Sequence, residues 1–154
     1  MSSELFTIFG SSKVASTSGT CSGAVVTSGF LNLSSPIFTD GAWVSGTTPN
    51  TIVIPKGTAF KIWEEKLTIN TGTGFVNIDV SRNSGTTYST IATNSVTSLS
   101  GTGQVSIRRT GRPLVIPSGN GVSGYTNVRF SFNTDAATGG IFADYVAEIV
   151  ELNE

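Results

Sequence analysis

Short apolar segments separated by turn-forming residues run along most of this sequence, and they constrain its fold more than any other feature. The segments are rich in Val, Ile, Phe and Thr, and clusters of Gly, Ser, Asn and Pro bound them, as is typical of β-strands. No window repeats apolar residues at the spacing of an amphipathic helix. The pattern predicts an all-β chain with strands at Leu5–Phe9, Ala24–Thr27, Phe30–Leu33, Thr51–Ile54, Phe60–Asn70, Phe75–Ser81, Tyr88–Ala92, Gln104–Arg108, Arg112–Ile116, Asn127–Asn133 and Ile141–Leu152.

The segment Phe60–Asn70 contains a break in its alternation. Its apolar residues stand at even positions before Glu64 and at odd positions after Glu65, so a regular strand would place them on opposite faces. A β-bulge near Glu64 or Glu65 restores a single buried face. The segment Ile141–Leu152 is apolar at many positions of both faces, which predicts a central strand.

A short motif recurs along the chain. Val53-Ile54-Pro55-Lys56-Gly57 returns as Val115-Ile116-Pro117-Ser118-Gly119. One interpretation is coincidence in a chain punctuated by Gly and Pro, and the other is a pair of similar Greek keys in one jelly roll. We predict an antiparallel β-sandwich of jelly-roll type with about 8–10 strands and an extended N-terminal arm.

The N-terminal part differs from the rest of the chain. Ser11–Gly23 is dominated by Ser, Thr and Gly and has too few apolar residues to order itself. We therefore divide the chain into residues 1–23, an N-terminal strand and flexible arm, and residues 24–154, a single β-sandwich domain. The arm could pack on its own sheet or enter a neighbouring subunit.

The composition argues against several kinds of function. The 154 residues include no histidine and one cysteine, Cys21, so histidine-dependent catalysis and an internal disulfide are excluded. Charged residues are 12% of the chain and the net charge is -1, without the basic patch that nucleic-acid binding requires. We see no secretory signal or membrane-spanning run. We expect no catalytic residue, cofactor, metal site, nucleic-acid partner or membrane partner.

Carboxylates and aromatic residues are the remaining candidates for chemistry. Glu64, Glu65, Asp79, Asp135 and Asp144 are the candidate acids for a glycosidase, but their spacing selects no pair, and we expect solvated surface charges or bulge residues. Flat aromatic faces that stack on sugars are offered by Trp63, Tyr88 and Tyr125, and above all by Trp43, which follows a loop-like Asp-Gly-Ala segment. Trp43 is the candidate glycan-stacking residue.

Basic residues cluster at one place. Arg108, Arg109 and Arg112 stand close together, whereas acids gather in the last eleven residues, so the two groups could pair between subunits. The alternative, which we favour slightly, is two solvated segments. The candidate residues for a subunit or capsid interface are Leu5, Phe6, Ile8, Phe9, Arg108, Arg109 and Arg112.

The Leu5–Gly23 arm, the two Val-Ile-Pro-x-Gly motifs and the strand pattern from Thr51 to Leu152 resemble the jelly-roll head-decoration, or cement, proteins of tailed bacteriophages. This resemblance implies a trimer that clamps neighbouring major capsid proteins on the virion without catalysis. The pattern is also similar to trimeric tumour-necrosis-factor and C1q-like domains, although their usual aromatic C-terminal ending is absent. We expect a virion structural protein. The alternatives are a carbohydrate-binding module or receptor-binding fibre tip, which would be extracellular, and a carboxylate-dependent glycosidase.

Overall fold

The structure is a computed structural model that describes residues 3–11, 14–15, 21–22, 28–34, 51–69, 71–99, 101–108, 111–118, 124–135 and 141–151. These residues form β-strands and turns, which confirms the predicted all-β sandwich. The strands are β1 (Ser3–Ser11), β2 (Val14–Ala15), β3 (Cys21–Ser22), β4 (Ser28–Phe30), β5 (Asn32–Ser34), β6 (Thr51–Val53), β7 (Thr58–Ile69), β8 (Thr73–Ser81), β9 (Ser89–Thr97), β10 (Gly103–Arg108), β11 (Leu114–Pro117), β12 (Asn127–Thr134) and β13 (Ile141–Glu151).

Two antiparallel sheets contain most of these strands. The front sheet has the order β10-β7-β13-β1-β5, and β11 also pairs with β7. The back sheet has the order β4-β12-β8-β9, and β6 also pairs with β12. The chain from β6 to β13 crosses repeatedly between the sheets, as in a jelly roll. As predicted, the last strand is central, because β13 lies between β7 and β1.

The core lies between the two sheets and is built from alternate residues of their strands. Apolar side chains at every second position of β8, β12 and β13 are buried in it: Val76, Ile78, Val80, Val128, Phe130, Phe132, Ile141, Ala143, Tyr145, Ala147 and Ile149. The rings of Phe130 and Tyr145 stack across the core with their centroids 4.3 Å apart. Each fully buried side chain of this size stabilises the fold by roughly 1.5–3 kcal/mol, so the core supplies the main stabilisation of the sandwich.

The parity break in β7 is resolved by a bulge, as predicted. Val146 of β13 pairs with Glu64 and Ala147 pairs with Ile62, so Trp63 is the extra residue. Trp63 and Glu64 are both half-buried, whereas Glu65 is buried with the odd-numbered apolar residues that follow it. The bulge therefore keeps both halves of the strand on one core.

The two Val-Ile-Pro motifs meet in the structure. Thr58, which follows the first motif, and Ser118, within the second, exchange hydrogen bonds. The Ser118 amide donates to the Thr58 carbonyl at 2.8 Å, and the Thr58 amide donates to the Ser118 hydroxyl at 2.9 Å. The first motif leads into the front sheet through β7 and the second ends β11, which pairs with that strand. The two copies of the motif are therefore held together where β7 begins and β11 ends.

The N-terminal strand packs on its own chain. All of β1 pairs with β13 from Ser3 to Ser11, and its last residues also pair with β5. Of the two possibilities for the arm, the structure therefore shows packing on its own sheet. In the segment Ser11–Gly23, Ser11 ends β1, β2 and β3 pair with each other, and the remaining residues lie outside the described ranges.

Two strand predictions need correction. Phe30–Leu33 is not one strand: Phe30 ends β4 in the back sheet and Asn32 begins β5 in the front sheet. The chain crosses between the sheets at Leu31, whose side chain is fully buried. Alternation did not reveal this crossing because the core takes up apolar residues from both sheets. The strand expected at Tyr88–Ala92 is the longer β9, and the strand predicted at Ala24–Thr27 lies outside the described residues.

Candidate interaction surface

The outer face of the front sheet carries an unusual mixture of apolar and charged side chains. On β13 the outward residues are Phe142, Asp144, Val146, Glu148 and Val150, and all five are half-buried. Alternation explains this arrangement, because the intervening residues of the strand are the ones buried in the core. A central strand with three apolar residues on its outer face is typical of a sheet that contacts something else.

The bulge adds a tryptophan to this face. Trp63 Nε1 donates a hydrogen bond to Glu148 Oε2 at 3.0 Å, which joins β7 to β13 across the front of the sheet. A bulge bends its strand and changes the direction of a side chain, and here the extra residue is the one that makes this contact. We call the surface formed by Trp63, Phe142, Asp144, Val146, Glu148 and Val150 the Trp63 face.

Opposite charges stand side by side on the Trp63 face and its margin. Asp144 is paired in register with Lys66, and Glu148 with Lys61. Burial raises the pKa of Asp144 above its ordinary value, and the charge of Lys66 opposes that shift. Because each acid has a basic neighbour, the surface is locally balanced, and covering it removes fewer uncompensated charges from water.

Some predicted interface residues belong to the same sheet as this face. Leu5, Phe6, Ile8 and Phe9 lie in β1, next to β13, with Leu5 opposite Glu148 in the register. Arg108 ends β10 on the other side of β7, opposite Glu64. Arg112 is exposed just before β11. Arg109 lies outside the described residues, so the structure brings most, but not all, of the predicted set to the front sheet.

The outer face of the back sheet carries a different arrangement, which we call the Arg129 cluster. The guanidinium carbon of Arg129 lies 4.0 Å from the ring centroid of Phe30 and 3.6 Å from that of Tyr88. Its Nε is 3.6 Å from Asp79 Oδ2, and the Thr90 hydroxyl donates to Asp79 Oδ1 at 2.7 Å. A cation between two rings and beside a shielded carboxylate is held firmly, so this cluster fixes side chains on β12, β8, β9 and β4 together.

Two candidate acids are buried, which corrects the expectation of solvated charges. Glu65 is 1% exposed and Asp79 is 5% exposed. Glu65 faces the core because the bulge gives it the parity of the apolar residues after it, and Asn94 Nδ2 donates to its Oε1 at 2.6 Å. Burial, followed by the charge of Glu65, holds the pKa of the adjacent Tyr145 well above its ordinary value.

The other candidate acids have separate surroundings. Glu64 and Asp144 are on the outer side of the front sheet. Asp135 is exposed and accepts a hydrogen bond from the Thr73 amide at 2.8 Å. Asp79 belongs to the other sheet, in the Arg129 cluster. Within the described ranges, no group of three or more His, Cys, Asp or Glu residues is placed to hold a metal ion.

Of the aromatic residues considered for sugar binding, Trp43 lies outside the described residues. Trp63 is on the front sheet, Tyr88 stacks on Arg129, and Tyr125 has the guanidinium of Arg82 4.0 Å from its ring centroid. Sequence reasoning missed Phe30, Arg82 and Arg129. The signal for Arg129 was its charge at a non-core position of an alternating strand, but its partners become visible only with the strand register.

Comparisons with known proteins give little further information. No protein-family model and no curated protein matches the chain. Among solved structures, it is similar to the CBM22-1–GH10 modules of endo-1,4-beta-D-xylanase 10B from Clostridium thermocellum, solved in complex with xylohexaose. The identity is 16%, the TM-score is 0.33, and the match covers 96% of this chain but 25% of that one. A likeness this weak supports no conclusion about fold or function.

In the part of the chain that the structure describes, there is no helix with the length and apolar character needed to cross a bilayer.

Proposed function

We propose that this chain is a non-enzymatic structural protein of a virus particle, which self-associates through the Trp63 face and binds and stabilises a capsid. The observation that supports self-association is the central strand β13, whose outer side presents Phe142, Val146 and Val150 half-buried beside Trp63. The major capsid protein as partner and the trimer as oligomer follow from the resemblance of the sequence to cement proteins.

The energetics of the surface favour a contact between copies. Apolar area removed from water contributes roughly 25 cal/mol per Å², and the balanced Asp144–Lys66 and Glu148–Lys61 pairs limit the cost of desolvation. In a cyclic trimer one heterologous contact is repeated around the axis. The Trp63 face contributes to each copy of this contact, and the remainder of the sandwich is left to contact the particle.

The first experiment measures the mass of the protein in solution by light scattering, and introduces Val146→Lys on the Trp63 face. Val53→Lys is the matched control, because Val53 lies in β6 of the back sheet and is 47% exposed. We expect the wild type and Val53→Lys to be trimeric, and Val146→Lys to be monomeric with an unchanged circular dichroism spectrum. A monomeric wild type, or a Val146→Lys trimer, would contradict the proposed contact.

The second experiment tests whether the chain binds to a capsid. We expect the gene to lie near one for a major capsid protein, and the purified chain to co-sediment with shells assembled from that neighbour. Val146→Lys should bind the shells more weakly than Val53→Lys, since a trimer binds through several sites and gains affinity from multivalency. Absence of the wild-type chain from the shell fraction would count against the capsid role even if the trimer forms.

Carbohydrate binding is the second candidate function, with the chain as a binding module or a receptor-binding fibre tip. It is supported by a pocket at one end of the sandwich, next to Tyr125, one of the rings singled out from the sequence. Glycan-array binding by the wild type tests it, and Trp43→Ala tests whether the residue predicted from the sequence takes part. Absence of binding to all glycans would exclude this function.

A further inference from the structure

A pocket of about 290 Å³ opens where β8 turns into β9. Its lining includes the charged Arg82, the ring of Tyr125, the hydroxyls of Thr87 and Ser89, and the apolar Ile91. Sites for drug-sized ligands usually measure about 300–1,000 Å³. The pocket stands at the lower limit of this range, so its volume suits a small ligand.

A network of hydrogen bonds holds the rim of the pocket. The Ser81 hydroxyl accepts from the Gly85 amide at 2.9 Å, and Asn83 Oδ1 accepts from the Thr87 amide at 2.9 Å. Ser84 takes a positive φ of 60° to close this turn. These hydrogen bonds lie within the turn itself, so the protein's own contacts hold the rim in one conformation.

The same network connects the turn to the segment that carries Tyr125. The Ser84 amide donates to the Thr126 hydroxyl at 2.9 Å, and the Thr126 amide donates to the Ser81 carbonyl at 2.7 Å. Hydrogen bonds on either side of Arg82 therefore join its turn to the segment that carries Tyr125. Their cation–π contact, at 4.0 Å, holds the guanidinium at the pocket.

A bulge in β9 supplies the apolar part of the lining. Ala92 pairs with Ile78 and Thr90 pairs with Asp79, so Ile91 is the extra residue of the strand. Its side chain is 38% exposed and lines the pocket. An exposed aliphatic side chain can thus cover the C–H face of a ring-shaped ligand.

The charge of the pocket selects among small polar ligands. Among the described residues that line it, Arg82 is charged and none is acidic. A divalent cation has no carboxylate to bind there. A guanidinium with nearby hydroxyls suits a ligand that carries one carboxylate and several hydroxyl groups, because Arg forms charge-assisted hydrogen bonds with a carboxylate.

We infer that the Arg82–Tyr125 pocket binds an acidic monosaccharide unit, a uronic or sialic acid, with its carboxylate at Arg82 and its ring face on Ile91. This inference rests on the second candidate function, carbohydrate binding, and specifies the sugar class and the site. It does not depend on the capsid role or on the Trp63 face.

The experiment compares methyl β-glucuronide with methyl β-glucoside, which differ in the carboxylate alone, and compares methyl sialoside with its carboxamide. Titrations are followed by NMR of the full chain at low ionic strength. We expect at least one acidic sugar to bind at least tenfold more tightly than its neutral partner, and its affinity to fall as salt is added. Resonances of Thr87, Ser89 and Ile91 should shift.

Arg82→Gln tests the assigned residue, and Lys56→Gln is the control, since Lys56 is also an exposed cation and lies in the turn between β6 and β7, outside the pocket lining. We expect Arg82→Gln to abolish the preference for the acidic sugar, and Lys56→Gln to change affinity less than twofold. Equal binding of acidic and neutral sugars, or acidic-sugar binding that survives Arg82→Gln, would overturn the inference while leaving carbohydrate binding intact. No binding of any sugar, here or on a glycan array, would overturn both.

Discussion

Each sheet of the sandwich contains a bulge, and the two bulges lie in very different surroundings. Trp63 is the extra residue of β7, which pairs on one side with β13 and on the other with β10 and β11. Ile91 is the extra residue of β9, which pairs with β8 at the edge of the back sheet. The extra residue belongs to a candidate site in both cases. The location of the strand, more than the bulge itself, therefore determines what the surrounding sequence must satisfy.

The burial of the two strands explains why the bulge in β7 can be recognised in the sequence and the bulge in β9 cannot. Most residues of β7 on one side are buried, so an unpaired residue produces a visible change of parity between Ile62 and Leu67. Most residues of β9 are exposed, with Val96 as its buried residue, so an extra residue shifts no apolar pattern. A bulge can be predicted from sequence where the strand has a buried face, because the extra residue interrupts the alternation of apolar residues.

The largest expected effect comes from deleting one residue of β7 at two neighbouring positions. Deletion of Lys61 places Phe60 and Ile62, both fully buried, next to each other, so one of them must turn to the outer face, and the deletion should abolish folding. Deletion of Trp63 removes the bulge and leaves Ile62, Glu65 and Leu67 on one face, so the sandwich should form. Circular dichroism and soluble yield measure both results. A folded Lys61 deletion would show that the parity of β7 is not essential.

The same pair of deletions in β9 should have a smaller effect. Deletion of Ser95, beyond the bulge, places Asn94 and Val96 next to each other, so one of them must turn away from the core, but β9 is an edge strand with few buried side chains. We expect a loss of about 1–3 kcal/mol in the free energy of unfolding. Deletion of Ile91 should cost less, because it restores a regular ladder. Urea unfolding measures both, and a Ser95 deletion that does not fold would remove the proposed difference between the strands.

Much of the fold could be predicted from sequence, because burial on alternate positions marks β8, β12 and β13 directly. The burial of Glu65 followed from the same parity, yet its charge suggested a solvated residue. The Arg129 cluster and the Arg82–Tyr125 pocket could not be predicted, because they join residues from separate strands and turns. Their assembly depends on strand register, which a single sequence specifies only after the topology is known.

The buried carboxylate that the β7 bulge places in the core gives a pH-dependent prediction. The pKa of Tyr145 is raised by burial and by Glu65. In the unfolded chain this tyrosine loses its proton above about pH 10, whereas in the folded chain it keeps it. Stability should therefore fall above pH 10 by up to roughly 1.4 kcal/mol per pH unit. Tyr145→Phe should remove this part of the slope, as measured by urea unfolding between pH 8 and pH 11; an unchanged slope would contradict the raised pKa.

The smallest expected change in the free energy of unfolding concerns Asp144 on the Trp63 face. Burial raises the pKa of Asp144, so the folded chain binds this proton more tightly than the unfolded chain. The stability that the group contributes is present below its unfolded pKa and is lost as pH rises through the raised folded value. At neutral pH the charged Asp144 is therefore slightly unfavourable, and Asp144→Asn should stabilise the chain. Because the side chain is half-exposed, solvent screening keeps the gain under about 0.5 kcal/mol.

Urea unfolding at pH 7 and pH 3 separates this effect from a change in packing. Near pH 3 the protonated Asp144 resembles Asn in charge, so the gain seen at pH 7 should disappear. Lys66→Met gives the complementary test, because Lys66 opposes the raised pKa of Asp144 and its removal should enlarge the gain from Asp144→Asn. A gain that is equal at both pH values would mean that Asp144→Asn acts through packing on the Trp63 face, where Phe142 and Val146 flank the residue along β13.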